Sequence, residues 1–197
     1  EYGLDPLRYY LIKEVSFGND GNISQERLEN CINSDLANNY GNLCQRVTSF
    51  AEKNCNGKIP EVIEFIKDDL AILEKYEKNL KIIRNKIDKQ DLNFYIDYIV
   101  NSLFEANKYF NDQEPWNKKK DLIRMNTIVY TTLEIIRKIS FLLYPIIPNS
   151  SLKALSIFHI VEDKIDLSSI SNHIYLKGGT KINKIGILFN KIEKNND

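Results

Sequence analysis

Residues 122–143, LIRMNTIVYTTLEIIRKISFLL, decide the fold class of this chain. Apolar side chains recur there at intervals of three and four residues, which is the spacing of one face of an α-helix. The stretch ends at YPIIP, where Pro145 and Pro148 cannot continue a helix. The apolar face comprises Leu122, Met125, Val129, Leu133, Ile136, Ile139 and Leu143.

Upstream stretches of the chain are also predicted to be helical. Ser24 is a suitable N-cap for a helix that ends at about Asn33, and a second helix is expected over about residues 34–54. Pro60 in a first turn is expected to begin a third helix, which the polar triplet 89–91 separates from a fourth. The three longer apolar faces are Leu36, Tyr40, Leu43, Val47 and Phe50; Ile63, Ile66, Leu70, Leu73, Leu80, Ile83 and Ile87; and Leu92, Ile96, Ile99, Leu103, Ala106 and Phe110.

The fold class that follows is all-α, an antiparallel helical bundle of about five long helices. Short connections and one apolar face per helix favour this architecture over isolated helices. The bundle is expected to comprise residues 24–160 and to include a short helix at about 151–158. Residues 1–23 form a separate short segment, in which 7–12 is either a short helix or extended, and 18–22 is a turn.

The apolar pattern changes from residue 161 onward. Residues 174–177 and 185–189 are predicted to be extended pieces around a turn at Gly178-Gly179. We interpret residues 161–197 as a partly extended C-terminal strap that folds back on the bundle.

Length and composition indicate one sizeable globular domain. The chain has 197 residues, 43% of them hydrophobic, and a mean hydropathy of −0.37. No apolar run reaches the roughly 20 residues that span a bilayer. The acidic start, broken by Pro6, does not resemble a signal peptide. Because the chain does not begin with Met and Glu1 enters directly into a structured segment, we interpret the chain as a fragment of a longer protein. We expect this protein to be cytoplasmic and to have no membrane contact.

The cysteines do not predict a metal or disulfide framework. Cys31, Cys44 and Cys55 are far apart, and His159 and His173 lie elsewhere in the chain. We interpret the cysteines as small apolar residues in a reducing cytoplasm.

The charge balance is evidence against a simple electrostatic binder of nucleic acid. The chain has 27 basic and 27 acidic residues, whereas a protein that wraps a phosphate backbone is normally basic. Any RNA binding is therefore expected either to be local and directed at bases or to depend on parts of the protein outside this fragment.

The only tryptophan, Trp116, ends the polar corner YFNDQEPW at residues 109–116. Pro115 ends the helical pattern before it. A large ring at such a corner either caps the edge of the core or serves as a stacking platform for an unpaired base. The corner alone favours the cap.

Asn42 and Arg46 form the candidate polar pair. Positions i and i+4 share a helix face, and this face lies beside the apolar stripe at the surface of the bundle. An amide and a planar guanidinium can together bind the Watson–Crick edge of an unpaired base. The spacing alone favours an ordinary solvated helix edge with an internal Asn–Arg contact, since such pairs are common on helices.

Lys118, Lys119 and Lys120 follow the corner directly. They are either a solvated helix start or a contact for a phosphate group. The sequence contains no nucleophile–base pair, no usefully spaced carboxylates and no glycine-rich phosphate loop. We therefore predict no catalytic residue and no metal ligand.

Five stretches carry a resemblance that covers nearly the whole chain: YGLDPLRYYL at 2–11, DGNIS at 20–24, DLANNYGNLCQRV at 35–47, ANKY through EPW at 106–116, and YPIIP at 144–148. Together they resemble the C-terminal portion of the methionyl-tRNA synthetases, a family of class I enzymes. Synthetases for valine, isoleucine, leucine and cysteine share the helical anticodon domain. The Pro-Trp corner combined with the Asn-x-x-x-Arg helix favours methionine.

The resemblance implies that the bundle binds the CAU anticodon of tRNA. Asn42 and Arg46 would hydrogen-bond the wobble cytosine, Trp116 would stack on it, and Pro115 would shape the corner. Residues 1–23 would be the stem-contact segment that follows the catalytic domain. The K-M-S-K-S loop, the H-I-G-H motif and the zinc-binding insertion are missing from this sequence, so the fragment would bind no cofactor and be inactive alone. The intact enzyme would join methionine to tRNA with ATP and magnesium, and the missing catalytic domain would be a partner.

One departure from the family concerns the strap. Residues 188–193 read LFNKIE where the family often has Leu-Phe-Pro-Arg-Ile-Glu, which puts in doubt how the strap is fixed. The chain stops soon afterwards, and a monomeric parent enzyme is expected. The alternative function is a helical protein-interaction module that docks another domain through Tyr9, Tyr10 and the strap, without RNA recognition.

Overall fold

The computed structural model describes residues 2–15, 21 and 23–193. These residues contain no β-strand and one isolated bridge between Lys58 and Lys181, so the all-α prediction is confirmed. None of the described helices is both long and apolar enough to pass through a bilayer. The α-helices are α1 (Leu4–Glu14), α2 (Gln25–Cys31), α3 (Asn42–Asn54), α4 (Lys67–Asp88), α5 (Leu92–Gln113), α6 (Leu122–Leu143) and α7 (Pro148–Leu155), with a π-helical segment at Ile32–Gly41 and 3₁₀ turns at Pro115–Asn117, Ser156–Phe158, Glu162–Lys164 and Leu167–Ser171.

The centre of the bundle is α6. Every residue from 127 to 143 is buried, because α3, α4, α5 and α7 all pack against this helix. The apolar face predicted from its spacing is therefore only part of the buried surface. One residue of the predicted apolar face is not buried: Leu122, at the start of the helix, is exposed.

Three charged residues of α6 are fully buried and bind the strap. Arg137 donates from Nε to Oε2 of Glu134 at 2.7 Å, and Oε1 of Glu134 accepts from the Leu176 amide at 2.6 Å. Arg137 and Lys138 also donate to the Asn172 carbonyl, at 3.2 and 2.8 Å. Burial lowers the pKa of Lys138 to about 8. Because buried charges need such partners, these bonds fix the strap to the core. The strap is thus fixed although Asn190 stands at the position of the proline in Leu-Phe-Pro-Arg-Ile-Glu.

The predicted break between Asn33 and Ser34 is wrong, since the chain is continuously helical from Gln25 to Asn54. The polar side chains there make contacts instead of ending a helix. The Asn33 amide exchanges two hydrogen bonds with the Ile192 main chain, at 2.8 and 2.9 Å. The predicted N-cap upstream is confirmed, because Ser24 Oγ accepts from the main chain of the first turn at 3.2 Å.

The helix predicted to begin at Pro60 begins only at Lys67. The residue directly before Pro60 pairs with the strap, since Ile59 donates to the Thr180 carbonyl and accepts from the Gly179 amide, both at 2.8 Å. Asp69 then caps the helix by accepting from the Ile66 amide at 2.9 Å. Proline is compatible with the first turn of a helix, but main-chain pairing with the distant strap prevents a helix from starting at Pro60.

Further predictions concern segments near the two ends of the chain. Residues 7–12 lie within α1 and are helical, and the short helix expected near 151–158 is α7 with its following 3₁₀ turn. The turn at Gly178-Gly179 is present, with Gly179 at φ 79°. Its flanks form no strand in the described part of the chain. The turn predicted at 18–22 lies almost wholly outside the described residues.

Candidate nucleic-acid interface

Helix α3 presents the predicted polar pair at the surface. Leu43 and Val47 are completely buried and fix this helix against the bundle. Asn42 is exposed and Arg46 is half-buried on the adjoining edge. The expectation that this edge lies beside the apolar stripe therefore agrees with the burial pattern.

A left-handed residue forms the corner between α5 and α6. Glu114 has φ 45° and ψ 59°, which ends α5 and reverses the chain. Pro115 is buried at the first position of the following 3₁₀ turn. Trp116 is next and exposes 38% of its surface. The indole is thus neither a core residue nor a freely solvated one.

The ring of Phe110 joins this corner to α3. Its centroid lies 6.0 Å from that of Trp116, at an interplanar angle of 69°. The Cζ atom of Arg46 lies 5.7 Å from the same Phe110 centroid. Phe50 of α3 approaches Phe110 edge-on at 6.0 Å. One buried aromatic side chain therefore sets the relative position of the tryptophan and the arginine.

Arg46 is oriented by a second contact. Its Nη2 donates to Oδ1 of Asn111 at 2.6 Å. Within the described residues the Asn42 amide makes no side-chain hydrogen bond, so its donor and acceptor both face solvent. Asn42 and the unused edge of the guanidinium together offer two kinds of hydrogen-bonding group to a ligand.

These groups border one open cavity of about 520 Å³. The structure therefore places Asn42, Arg46 and Trp116 around the same cavity. Pro115 shapes the corner without lining the cavity, and Lys118, Lys119 and Lys120 lie exposed on the next turn, also outside its lining. The remaining lining residues are Gln45, Ser49, Phe50, Lys53 and Phe110.

Sequence reasoning missed several residues of this site. Gln45, Ser49 and Lys53 follow Asn42 at +3, +7 and +11, so helical periodicity alone could have found them. Phe110 was assigned to the apolar face of its helix, and only the tertiary structure shows its contacts with Arg46 and Trp116.

A buried ion pair lies behind the corner. Arg124 of α6 binds both carboxylate oxygens of Asp69, at 2.7 and 2.9 Å, and Asp69 is fully buried. The Tyr109 hydroxyl donates to the same carboxylate, and burial with this charge raises the Tyr109 pKa above its usual range. Arg124 also donates to Oε1 of Gln113 at 2.7 Å. The ends of α4, α5 and α6 are thereby fixed around Trp116.

In the part of the chain that the structure describes, no group of three potential metal ligands converges. The three cysteines carry free thiols. Burial raises the pKa of Cys31 to about 12 and that of Cys55 to about 11, so neither is an activated nucleophile. The chemistry that this interface offers is hydrogen bonding and ring stacking.

Two family models match the chain. Residues 1–48 match the family described as tRNA synthetases class I (M). Residues 59–197, well over half of the chain, match the anticodon binding domain of methionyl tRNA ligase.

Curated relatives and solved structures agree with these matches. A methionine–tRNA ligase of Brucella suis biovar 1 (strain 1330) is 42% identical over 182 residues, which is 92% of this chain and 35% of the relative. That of Mycobacterium leprae (strain TN) is 39% identical over 175 residues, covering 86% and 33%. The crystal structure of apo Mycobacterium tuberculosis methionyl-tRNA synthetase superposes with a TM-score of 0.91 at 34% identity, over 98% of this chain and 39% of that one. The same organism's enzyme in complex with methionyl-adenylate gives 0.88 at 34% identity, over 94% and 37%. The chain thus spans about a third of the length of its curated relatives.

Proposed function

We propose that this chain, which belongs to the family of the methionyl-tRNA ligase anticodon-binding domain, binds the anticodon loop of a tRNA. The observation that carries the proposal is the cavity shared by Asn42, Arg46 and Trp116. A partly exposed ring beside the Asn42 amide and the unused edge of the Arg46 guanidinium suits a base that has left its stack.

The proposed ligand is the CAU anticodon, with its wobble cytosine on Trp116. Cytosine presents an amino donor where uracil presents a carbonyl acceptor. The Asn42 carbonyl oxygen can accept from that amino group, and the Arg46 guanidinium can donate to the acceptors on the same edge. Uracil would place an acceptor against the amide oxygen, which accounts for discrimination between the two bases.

The lysines after the corner are proposed to contact the loop backbone from outside the cavity. Lys118, Lys119 and Lys120 are exposed, directly after the 3₁₀ turn that carries Trp116. A phosphate contact from this turn would position the loop and add no base specificity.

The activity of the whole protein is a further proposal, because the chain spans about a third of its relatives. We infer a monomeric, cytoplasmic methionine–tRNA ligase that uses ATP and magnesium. Its catalytic domain would be the partner of this bundle, and residues 1–23 would contact the tRNA stem region between them.

The proposed test is a titration with a CAU anticodon stem-loop and with a loop in which the wobble cytosine is replaced by uracil. Trp116 is the only tryptophan, so quenching of its fluorescence reports on this corner alone. We expect quenching and tighter binding with the cytosine loop. Equal binding of both loops by the folded protein would contradict base recognition here.

Two substitutions assign the roles of individual residues. Trp116→Ala is expected to weaken binding by about 1–3 kcal/mol, the usual contribution of one stacked base. Arg46→Ala is expected to remove the preference for cytosine over uracil. Phe104→Ala and Arg84→Ala are matched controls, since both residues are exposed and lie outside the cavity. Loss of binding in the controls equal to that in the variants would refute the assignment.

A docking role also has a structural basis. Tyr9 and Tyr10 are fully buried, so the expectation that they contact another domain is wrong. Instead, Leu4, Leu7 and Leu11 expose 63%, 39% and 37% of their surfaces on one face of α1. Docking through this face would be insensitive to RNA sequence, and it is compatible with anticodon binding on α3.

A further inference from the structure

A tight turn directly after α3 contains the only Asn-Gly dipeptide of the chain. Asn56 is exposed and has φ 55°, and Gly57 is buried and has φ 64°. The Lys58 amide donates to the Cys55 carbonyl across these two residues at 3.0 Å. Two successive positive φ values with this bond are characteristic of a type I′ turn. The dipeptide therefore sets the direction in which the chain leaves α3.

The geometry of this turn favours asparagine at its first position and glycine at its second. Asparagine is one of the few residues besides glycine that enter the left-handed region at little cost. Any other residue at Gly57 would be strained by the positive φ. Its Cβ atom would also lie 2.9 Å from Oε2 of Glu52 and would have to displace that carboxylate. The fold thus accounts for both residues of the dipeptide.

Asparagine followed by glycine is chemically labile, because no side chain hinders attack by the next main-chain nitrogen. The Gly57 nitrogen forms a bond to Cγ of Asn56, and the side-chain nitrogen leaves as ammonia with the proton of the Gly57 amide. Water then opens the resulting cyclic imide. Hydrolysis at Cγ gives aspartate, whereas hydrolysis at the main-chain carbonyl gives isoaspartate, in which the main chain runs through Cβ. The net reaction consumes a water molecule and releases ammonia, with no oxidation or reduction.

The folded structure slows this reaction without preventing it. The Gly57 amide donates to the Ala51 carbonyl at 3.2 Å, so its nitrogen is free to attack only after this bond has opened. Opening of the turn also breaks the bond between Lys58 and Cys55. Such opening is most frequent at the ends of helices. The loss of two main-chain hydrogen bonds corresponds to a rate roughly thirtyfold lower than in the unfolded chain.

The same turn holds the strap against the end of α3. The Gly57 carbonyl accepts from the Ile182 amide at 2.8 Å, while the Gly57 amide binds Ala51 of α3. Ile59 extends this contact by accepting from the Gly179 amide at 2.8 Å. Isoaspartate at position 56 would lengthen the main chain by a methylene group between α3 and these bonds. Gly57 would then no longer reach Ala51 and Ile182 together.

We propose that Asn56 is a site of spontaneous deamidation, and that isoaspartate formed there releases the strap from the end of α3. The proposal does not depend on RNA binding, because it rests only on the turn and on its bonds with the strap. The attachment of the strap to α3 therefore depends on the age of the molecule.

The test compares the wild-type chain with Asn56→Gly and freshly prepared Asn56→Asp during incubation at mildly alkaline pH. Asn56→Gly keeps the positive φ and has no side-chain amide, so it cannot react. Asn56→Asp carries the charge of the product on an unaltered main chain. Peptide mass spectrometry locates deamidation in the folded protein and in urea. The deamidated fraction is isolated by anion exchange, and hydrogen exchange is measured at the amides of Gly179 and Ile182.

We expect Asn56 to deamidate roughly thirtyfold more slowly in the folded protein than in urea. The deamidated fraction should show two exchange populations, of which one matches Asn56→Asp and the other, the isoaspartate form, exchanges roughly tenfold faster. If Asn56 stays intact in the folded protein for roughly ten times the expected period, the site is overturned. A single population with the exchange rate of Asn56→Asp, in a sample that contains isoaspartate, would overturn the release of the strap.

Discussion

Replacement of Asp69 by asparagine tests whether the corner at Trp116 depends on buried charge. The Asp69 carboxylate accepts from Arg124 at 2.7 and 2.9 Å, from the Tyr109 hydroxyl and from the Ile66 amide. Asparagine has nearly the same shape and keeps one oxygen for the helix cap. The substitution therefore removes mainly the negative charge opposite Arg124.

The expected loss of unfolding free energy is about 3 kcal/mol. Removal of one member of a buried ion pair typically costs about 3–5 kcal/mol, because the remaining charge stays buried without compensation. The Arg124 side chain is 15% exposed and keeps its bond to Gln113, so the lower end of this range applies. For a chain of this length the loss corresponds to a fall in Tm of roughly 6–12 °C.

The assay is urea unfolding, followed by Trp116 fluorescence and by far-UV circular dichroism. Glu105→Gln is the control, because the ion pair of Glu105 with Lys75 has side chains 42% and 34% exposed and should contribute less than about 1 kcal/mol. Since Gln113 precedes the Trp116 corner, Asp69→Asn should also shift the fluorescence of the folded protein. A stability loss no larger than that of Glu105→Gln would refute the reasoning.

Three further outcomes are expected. Burial and the nearby charge of Lys138 lower the pKa of His173 below 6.5. The folded protein therefore binds this proton less readily than the unfolded chain does, and stability is lost as the pH falls below about 6.5. His173→Gln should flatten the dependence of unfolding free energy on pH in that range. Thiol labelling of the native protein, followed by mass spectrometry, should modify half-buried Cys55 well before Cys44, which is 1% exposed; equal rates would contradict the burial pattern. Ser24→Ala should cost about 1 kcal/mol of stability in thermal unfolding, and Ser24→Asp should restore it; an unchanged Tm in the alanine variant would show that the cap contributes nothing.

The long helices were predictable because their apolar periodicity is strong. The errors occurred where polar residues or proline serve a distant contact. Asn33 binds the main chain of Ile192, and Ile59, directly before Pro60, pairs with the strap. Neither contact leaves a signal in the local sequence, so local rules placed a break at the first position and a helix start at Pro60.

The candidate site was predictable in part for the same reason. Asn42 and Arg46 lie four residues apart on one helix, and that spacing fixes their shared edge. Trp116 is 70 residues from Arg46 in the sequence, and residue spacing could not bring the two together. The resemblance to a known family supplied that link. The contact through Phe110 required the tertiary structure.

The lysines at the interface predict how strongly RNA binding depends on salt concentration. Single-stranded nucleic acid gives a slope of log K against log salt of about −0.7 for each phosphate contact. Lys118, Lys119 and Lys120 after the corner are exposed and provide three contacts, for a slope of roughly −2.1.

Replacement of these three lysines by glutamine isolates their contribution to that slope. The slope should fall close to zero, while the preference for wobble cytosine is retained, because phosphate contacts position a strand and do not identify its bases. Stem-loop titrations at several salt concentrations measure both quantities. An unchanged slope would remove the three lysines from the interface, and a lost preference for cytosine would show that they help to form the base site.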